Sequence, residues 1–272
     1  MTPIAREARL QRQATALRDK GWKVFTAGHA CDQPMPEGVD FIELVPVQPD
    51  LGPSQEWWLR SCRRLSRWKP SLAERYYWDF LGNDVAFEQL AFVEGVSPDI
   101  VIGHEYFSAP LAARVAKHHD AAFSLDIHEY AIEQYAHDSE WLRTWKPYVA
   151  AIERLYLPQA DPVSTICEGI SDALVALYGL KARPIVARSV SYYREMPFRP
   201  AGETIEILYH GLVSPLRGLE TAIESVKLWR PEFRLKIRGM PDPGYAEKLS
   251  ALARDHGVAD RVTIAPGVDL KD

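Results

Sequence analysis

Residues 205–220 read IEILYHGLVSPLRGLE. The run from Ile205 to His210 is short, largely apolar and closed by Gly211, as a buried strand reads, and Leu219 opens a stretch of helical period. A strand that feeds a helix through a loop bracketed by Gly211 and Gly218 is half of a β-α-β unit. The pattern repeats outward. Downstream, a helix over 218–229 leads to a strand at 233–238 (FRLKIR), a helix at 244–256 and a strand at 261–265 (RVTIA). Upstream, strands near 22–27 (WKVFTA), 41–45 (FIELV), 99–103 (DIVIG), 121–126 (AAFSLD), 162–166 (PVSTI) and 184–187 (PIVA) alternate with amphipathic stretches. Such alternation predicts an α/β fold with mostly parallel sheets and crossover helices.

The helices are predicted from one-sided apolar faces. Ala5, Leu10, Ala14 and Leu17 mark the first, Leu111 and Val115 one over 107–119, and Val149, Ile152, Leu155 and Tyr156 one over 139–157. The polar cluster Cys167 to Asp172, with Ser171 and Asp172 ahead of Ala173, Leu174 and Leu177, reads as a helix start. Between 188 and 204 periodicity fails, and RSVSYYREMPFRPAGET, with two prolines and a glycine, reads as a linker. The expected organisation is therefore a doubly wound, Rossmann-like domain over 1–190, a linker over 191–203 and a second such domain over 204–272. Only one βαβαβ half of the second domain is expected to be present. Opening on a helix rather than a strand, the sequence reads as shortened at both ends.

Composition narrows the function classes. Of the 272 residues, 47% are hydrophobic and 11% aromatic, enough for packed cores and against disorder. Thirty-two Lys and Arg against 37 Asp and Glu leave a net charge of −5, which argues against a nucleic-acid partner needing a basic footprint. Cys31, Cys62 and Cys167 lie far apart with no CxxC, so a disulfide framework or cysteine zinc site is not expected and a cytoplasmic setting is. The opening MTPIAREARLQRQ lacks the apolar core of a signal peptide, and no apolar run of spanning length follows.

The loop after His210 carries the first chemistry. Glycines at 211 and 218 let backbone approach a ligand, a helix start offers unpaired N–H groups, and Arg217 adds a fixed charge with bidentate geometry. The same pattern also fits a tight β-α turn with a solvated arginine. Taken with FRLKIRG and GYAEKLSALARDHGVADRVTIAPGV, the string YHGLVSPLRGLETAIESV resembles the opening of the nucleotide-sugar domain of group 1 (family 4-like) glycosyltransferases with the GT-B fold. Upstream, PDIVIGHEYFSAPLAARVAKHHDAAFSLDIHEY and IERLYLPQADPVSTICEGISDALVALYGLKARPIVARSV are similar to the acceptor-side domain of that family, as more loosely is REARLQRQATALRDKGWKVFTAG.

The resemblance implies a retaining glycosyltransferase of cell-envelope polysaccharide type, moving a sugar from a nucleoside-diphosphate-sugar to a glycan, lipid-linked or small-molecule acceptor. No metal or other cofactor is expected beyond that co-substrate. Arg217 stands where the family holds the donor diphosphate, with Gly211 and Gly218 beside it; a second basic family position is here Leu212. His128 is implied as a catalytic residue that orients donor sugar or acceptor hydroxyl, with Glu129 shaping the same pocket. His104 and Glu105, at the end of the preceding strand, are implied on the acceptor side. The family's pair of glutamates separated by seven residues belongs late in the donor domain. Glu224 and Glu232 have the spacing but the wrong place, so a non-catalytic remnant or binding module is the alternative.

Two further features remain. Four of the eight tryptophans (57, 58, 68 and 78) fall in one stretch, and residues 56–79 carry six basic against three acidic side chains. On a helix, Trp58, Leu59, Cys62 and Leu65 share a face rimmed by Arg60, Arg63, Arg64 and Arg67. Segment 57–69 therefore suits either a peripheral contact with anionic lipid or packing on the sheet with a solvated arginine rim. Zinc hydrolysis is not supported: His128-Glu129 is followed by Tyr130, Ala131 and Ile132, which breaks HExxH, and His118 and His119 point apart on a helix.

Overall fold

Among the described residues, the apolar runs become nine parallel strands. The computed structural model describes residues 7–29, 34–190, 193, 195–198, 200 and 202–268. Ala5, Cys31 and parts of the expected linker lie outside these residues, and the described residues of 187–204 carry neither helix nor strand. Two compact units divide the chain, Met1–Ser191 and Tyr192–Asp272.

In the first unit, β1 (Val24–Gly28) pairs with β2 (Val39–Glu43), and a second sheet runs in the order β3 (Ile100–His104), β4 (Ala122–Ile127), β5 (Val163–Thr165), β6 (Ile185–Val186). Every pairing is parallel, and β3 and β4 place His104 opposite Asp126. Helices α5 (Glu105–His118), α6 (Ser139–Tyr156) and α7 (Glu168–Tyr178) make the crossovers. Asp138 caps α6 by accepting from the N–H groups of Glu140 and Trp141, satisfying donors that a helix start leaves open. The core forms where the inner faces meet: Leu125, Ile127, Val149, Ile152, Leu157 and Leu174 are all essentially inaccessible.

Several local expectations need correction. Helix α1 (Ala8–Asp19) buries Ala14, but the other residue it buries is Arg9, because a carboxylate waits for it inside the unit. The helix start read at Cys167–Asp172 is met, since α7 begins at Glu168, but Ser171 lies within the helix rather than ahead of it, fully buried, and its hydroxyl donates to the Pro184 carbonyl at 2.9 Å. Helix α2 (Pro53–Leu65) starts earlier than the tryptophan pattern implied, with proline in its first turn, where a missing N–H costs nothing. It buries Leu59 and Cys62 toward α6 and leaves Trp58 at 41%, Trp57 at 71% and Trp68 at 69% exposed. The tryptophans therefore do not pack on the sheet. The stretch after α2, left unassigned by periodicity, folds as α3 (Ser71–Arg75), a π-helical turn Tyr76–Phe80 and α4 (Asn83–Ala91). Pieces this short carry no sustained face; buried Tyr76 and Tyr77 anchor them instead.

The second unit is one sheet, β7 (Ile205–His210), β8 (Phe233–Gly239) and β9 (Val262–Pro266), with helices α8 (Leu219–Ser225) and α9 (Tyr245–Asp255). Ile223, Val226, Ile237 and Leu249 fill its core. A 3-10 turn, Val226–Leu228, continues α8.

Candidate functional site

In parallel sheets, ligands meet the C-terminal ends of strands, and in the first unit four titratable side chains converge there. Asp126, near the end of β4, is fully buried. Its Oδ2 accepts from Arg9 Nε at 2.6 Å and Gln13 Nε2 at 2.9 Å, and its Oδ1 from Arg9 Nη2 at 2.7 Å and Ser164 Oγ at 2.5 Å. Arg9 also donates to the Ala187 carbonyl at 2.7 Å, so α1 is tied to both β4 and the end of β6. Burial works against the charge on Asp126, but Arg9 and Ser164 outweigh it and hold the carboxyl below its usual range.

His104 lies with Nδ1 3.5 Å from Asp126 Oδ2. Burial pushes its imidazole down to about 4 although Asp126 pulls the other way, so the ring is neutral at physiological pH. Glu105, the first residue of α5, is 6% exposed and has a left-handed φ of 62°. The His128 N–H donates to its Oε1 at 2.7 Å, and the same oxygen lies 3.3 Å from His128 Nδ1. Burial raises the Glu105 carboxyl to about 8, with the N–H groups of His128 and Glu129 opposing. The rings of His104 and His128 stand 6.2 Å apart, centroid to centroid. His104, Glu105 and His128 are thus together, with Glu129 beside them but its side chain turned out and exposed.

One donor atom each from His104, Asp126 and His128 lies within 4.8 Å of the others, a set that in kind suits a transition metal. The fit is poor. Each oxygen of Asp126 already accepts two hydrogen bonds, two of them from a guanidinium that would face the ion. The arrangement instead offers the neutral imidazole of His104, the ring of His128 and a protonated Glu105 carboxyl, groups that suit sugar hydroxyls. Sequence reasoning missed Arg9 and Gln13 as parts of this network, and no local signal marks them: Arg9 stands 117 residues from Asp126.

In the second unit, Gly211 and Gly239 follow each other closely across β7 and β8. A Cβ on Gly239 would lie 1.7 Å from the Gly211 carbonyl oxygen, so only glycine fits. The loop then turns through Leu216 (φ 68°) and Gly218 (φ 73°) into α8. Arg217 is exposed between them, with no hydrogen-bond or ion-pair partner among the described residues. Leu212 is also exposed. A hollow of about 440 Å³ opens nearby in sequence, lined by Pro215, Asp242, Pro243, Gly244, Tyr245 and Lys248; Gly211, Arg217 and Gly218 are not part of its lining. Lys248 is partly occupied by Glu220, 3.3 Å away.

A family model described as a glycosyl transferase 4-like domain matches residues 7–190. No curated protein matches the chain significantly. Among solved structures, sucrose-phosphate synthase from Thermosynechococcus elongatus is 16% identical with a TM-score of 0.57, covering 96% of this chain and 64% of that one. HepE from Anabaena, solved with UDP-glucose, is 11% identical with a TM-score of 0.52 over 82% of this chain and 68% of its own. A glycosyltransferase from Rickettsia africae is 11% identical with a TM-score of 0.51 over 97% and 66%. At these identities the likeness is one of fold, the α/β GT-B type. The chain spans about half to two thirds of the length of the first structures it matches, 51% to 64%.

Proposed function

The chain belongs to the glycosyl transferase 4-like family, and from that premise we propose that it takes part in retaining transfer of a sugar from a nucleoside-diphosphate donor to a glycan, lipid-linked or small-molecule acceptor. The observation that carries the reading is the convergence of His104, Glu105 and His128 at the ends of β3 and β4 within the family-matched segment. The neutral imidazole of His104 donates to and accepts from hydroxyls without the cost of burying charge. In the second unit, the unpartnered Arg217 is assigned to the donor diphosphate, whose negative charge grows as the bond to the sugar breaks. Gly211 and Gly218 allow close backbone approach there. HepE, solved with UDP-glucose, supports the donor class. Glu129 is assigned to the rim of the sugar pocket, and no metal is assigned a role.

A peripheral contact with anionic membrane through 57–69 belongs to the same proposal. Trp57 and Trp68 are 71% and 69% exposed. Arg64 beside them is exposed, and Arg67 stacks on Trp68 with its guanidinium carbon 4.2 Å from the ring centre. Exposed tryptophan with arginine suits a headgroup layer. Among the described residues no helix is long and apolar enough to cross a membrane.

The test combines binding and turnover. Calorimetry with UDP should show binding that Arg217→Ala weakens by about 1.5–3 kcal/mol, the worth of a charge-assisted contact; unchanged affinity removes Arg217 from the site. With a panel of nucleotide sugars, His128→Ala should lower turnover far more than stability. Binding without transfer from any donor would leave a binding module rather than an enzyme.

A further inference from the structure

Glu105 is distinguished by three independent features. Its backbone is left-handed at φ 62°, a conformation that strains any residue with a Cβ and persists only where the surroundings fix it. Its side chain is nearly inaccessible although it opens a helix at a strand end. Its carboxyl is turned onto the start of the loop after β4: Oε1 accepts the His128 N–H at 2.7 Å and stands 3.3 Å from the Nδ1 of the same residue, with the Glu129 N–H also facing the carboxyl. An oxygen fixed against one ring nitrogen of a histidine decides which tautomer and which edge the ring presents outward.

We propose that Glu105 is a positioning residue for His128, and that the strained junction between β3 and α5 serves to press a buried carboxyl against Nδ1 so that Nε2 is the edge offered to a ligand hydroxyl. This rests on reading the strand ends of the first unit as the sugar-handling site. Around the carboxyl stand Arg9 from α1, His128 and Glu129 from the loop after β4, Glu153 from α6, and Tyr106 and His104 on either side in sequence. Because burial lifts the Glu105 carboxyl to about 8, His128 has a neighbour whose charge switches just above neutrality.

The experiment is a pH titration, followed by NMR of the His128 ring nitrogens in the protein alone. The His128 ring-nitrogen shifts should report the ionisation of Glu105 as an inflection near pH 8, and Glu105→Gln, which keeps the length and an acceptor oxygen, should abolish it. The shifts of His256, in the second unit, serve as the control. A carboxyl that only caps the loop leaves the ratio of the two neutral His128 tautomers, read from the same nitrogen shifts, equal in parent and Glu105→Gln, so an unchanged ratio, persistence of the inflection in Glu105→Gln, or its absence from the parent overturns the proposal. Glu105→Gly removes the carboxyl while relieving the left-handed strain, so it keeps the test available if the Gln variant does not fold; it too should lose the inflection. Where transfer is measurable, Glu105→Gln should lower kcat roughly tenfold with little change in donor KM. The titration needs no substrate. A protein that passes it yet transfers no sugar refutes the function reading and leaves the positioning role standing.

Discussion

Replacing Arg9 by methionine removes the cation that neutralises the deepest charge of the first unit. Arg9 is 8% exposed and Asp126 fully buried, joined through two nitrogens at 2.6 and 2.7 Å. Deleting one partner of such a pair leaves a buried charge uncompensated, at a cost of about 3–5 kcal/mol. Gln13 and Ser164 still donate to Asp126, which places the expected loss near the lower end, about 3 kcal/mol. With a urea dependence of about 2 kcal/mol per molar, the unfolding midpoint should fall by about 1.5 M. Tryptophan fluorescence reads this unit almost alone, since seven of the eight tryptophans precede residue 192 and only Trp229 follows. The pH dependence has a definite sign. Asp126 has a depressed folded-state pKa, so the stabilisation by Arg9 is complete above the ordinary carboxylate range and is lost as pH falls through the folded value. The gap between parent and variant should therefore be widest at pH 7 and narrow below about pH 4. The double variant Arg9→Met, Asp126→Leu should recover most of the loss, because an apolar pair carries no desolvation penalty. A midpoint shift below about 0.3 M, or a gap that does not narrow in acid, would refute the reasoning.

Two further outcomes follow from other parts of the chain. Burial raises Glu153 to about 7 even though Tyr178 donates to it at 2.5 Å, so the stability it contributes is complete below the ordinary glutamate range and lost as pH rises through 7. Glu153→Gln should flatten the decline of Tm between about pH 4.5 and 7, and an unchanged slope would show that another group controls it. For the membrane contact, Trp57→Ala with Arg64→Glu should reduce co-sedimentation with phosphatidylserine vesicles several-fold, by loss of an interfacial anchor and a reversed charge. Arg63 is a poor choice for that test, because its guanidinium carbon already sits 4.0 Å from the centre of the Trp145 ring. Equal sedimentation of variant and parent would end the membrane proposal.

The strands were legible because short, largely apolar runs stand between turn residues, even where, as in β7, much of the strand is exposed. WKVFTA, DIVIG, AAFSLD and IEILYH each fall within two residues of an observed strand. Residues 71–91 were not legible, since three short helical pieces do not sustain a period long enough to read. At the site, the strand-end placement of His104, Glu105 and His128 could be read from the strands that precede them. Their electrostatics could not. The neutrality of His104 and the elevation of Glu105 arise from burial, and the saturation of Asp126 from Arg9, Gln13 and Ser164, which approach from separate parts of the chain. Nor does any sequence rule place glutamate at a left-handed φ, where glycine or asparagine is the usual choice.

The bond from Arg9 to Asp126 also bears on the order in which the first unit assembles. Arg9 is synthesised 117 residues before Asp126 and 178 before Ala187. At about 5–20 residues per second, that is roughly 6–23 seconds during which α1 has neither partner. A helix of 12 residues is marginal on its own in water. Closing a loop of 117 residues costs about 4 kcal/mol by the logarithmic rule, and the attraction within the pair is largely offset by taking both charges out of water. The bond therefore cannot draw the two segments together. The expected order is that β4, β5 and β6 assemble first, and that the segment made early is the one fastened last.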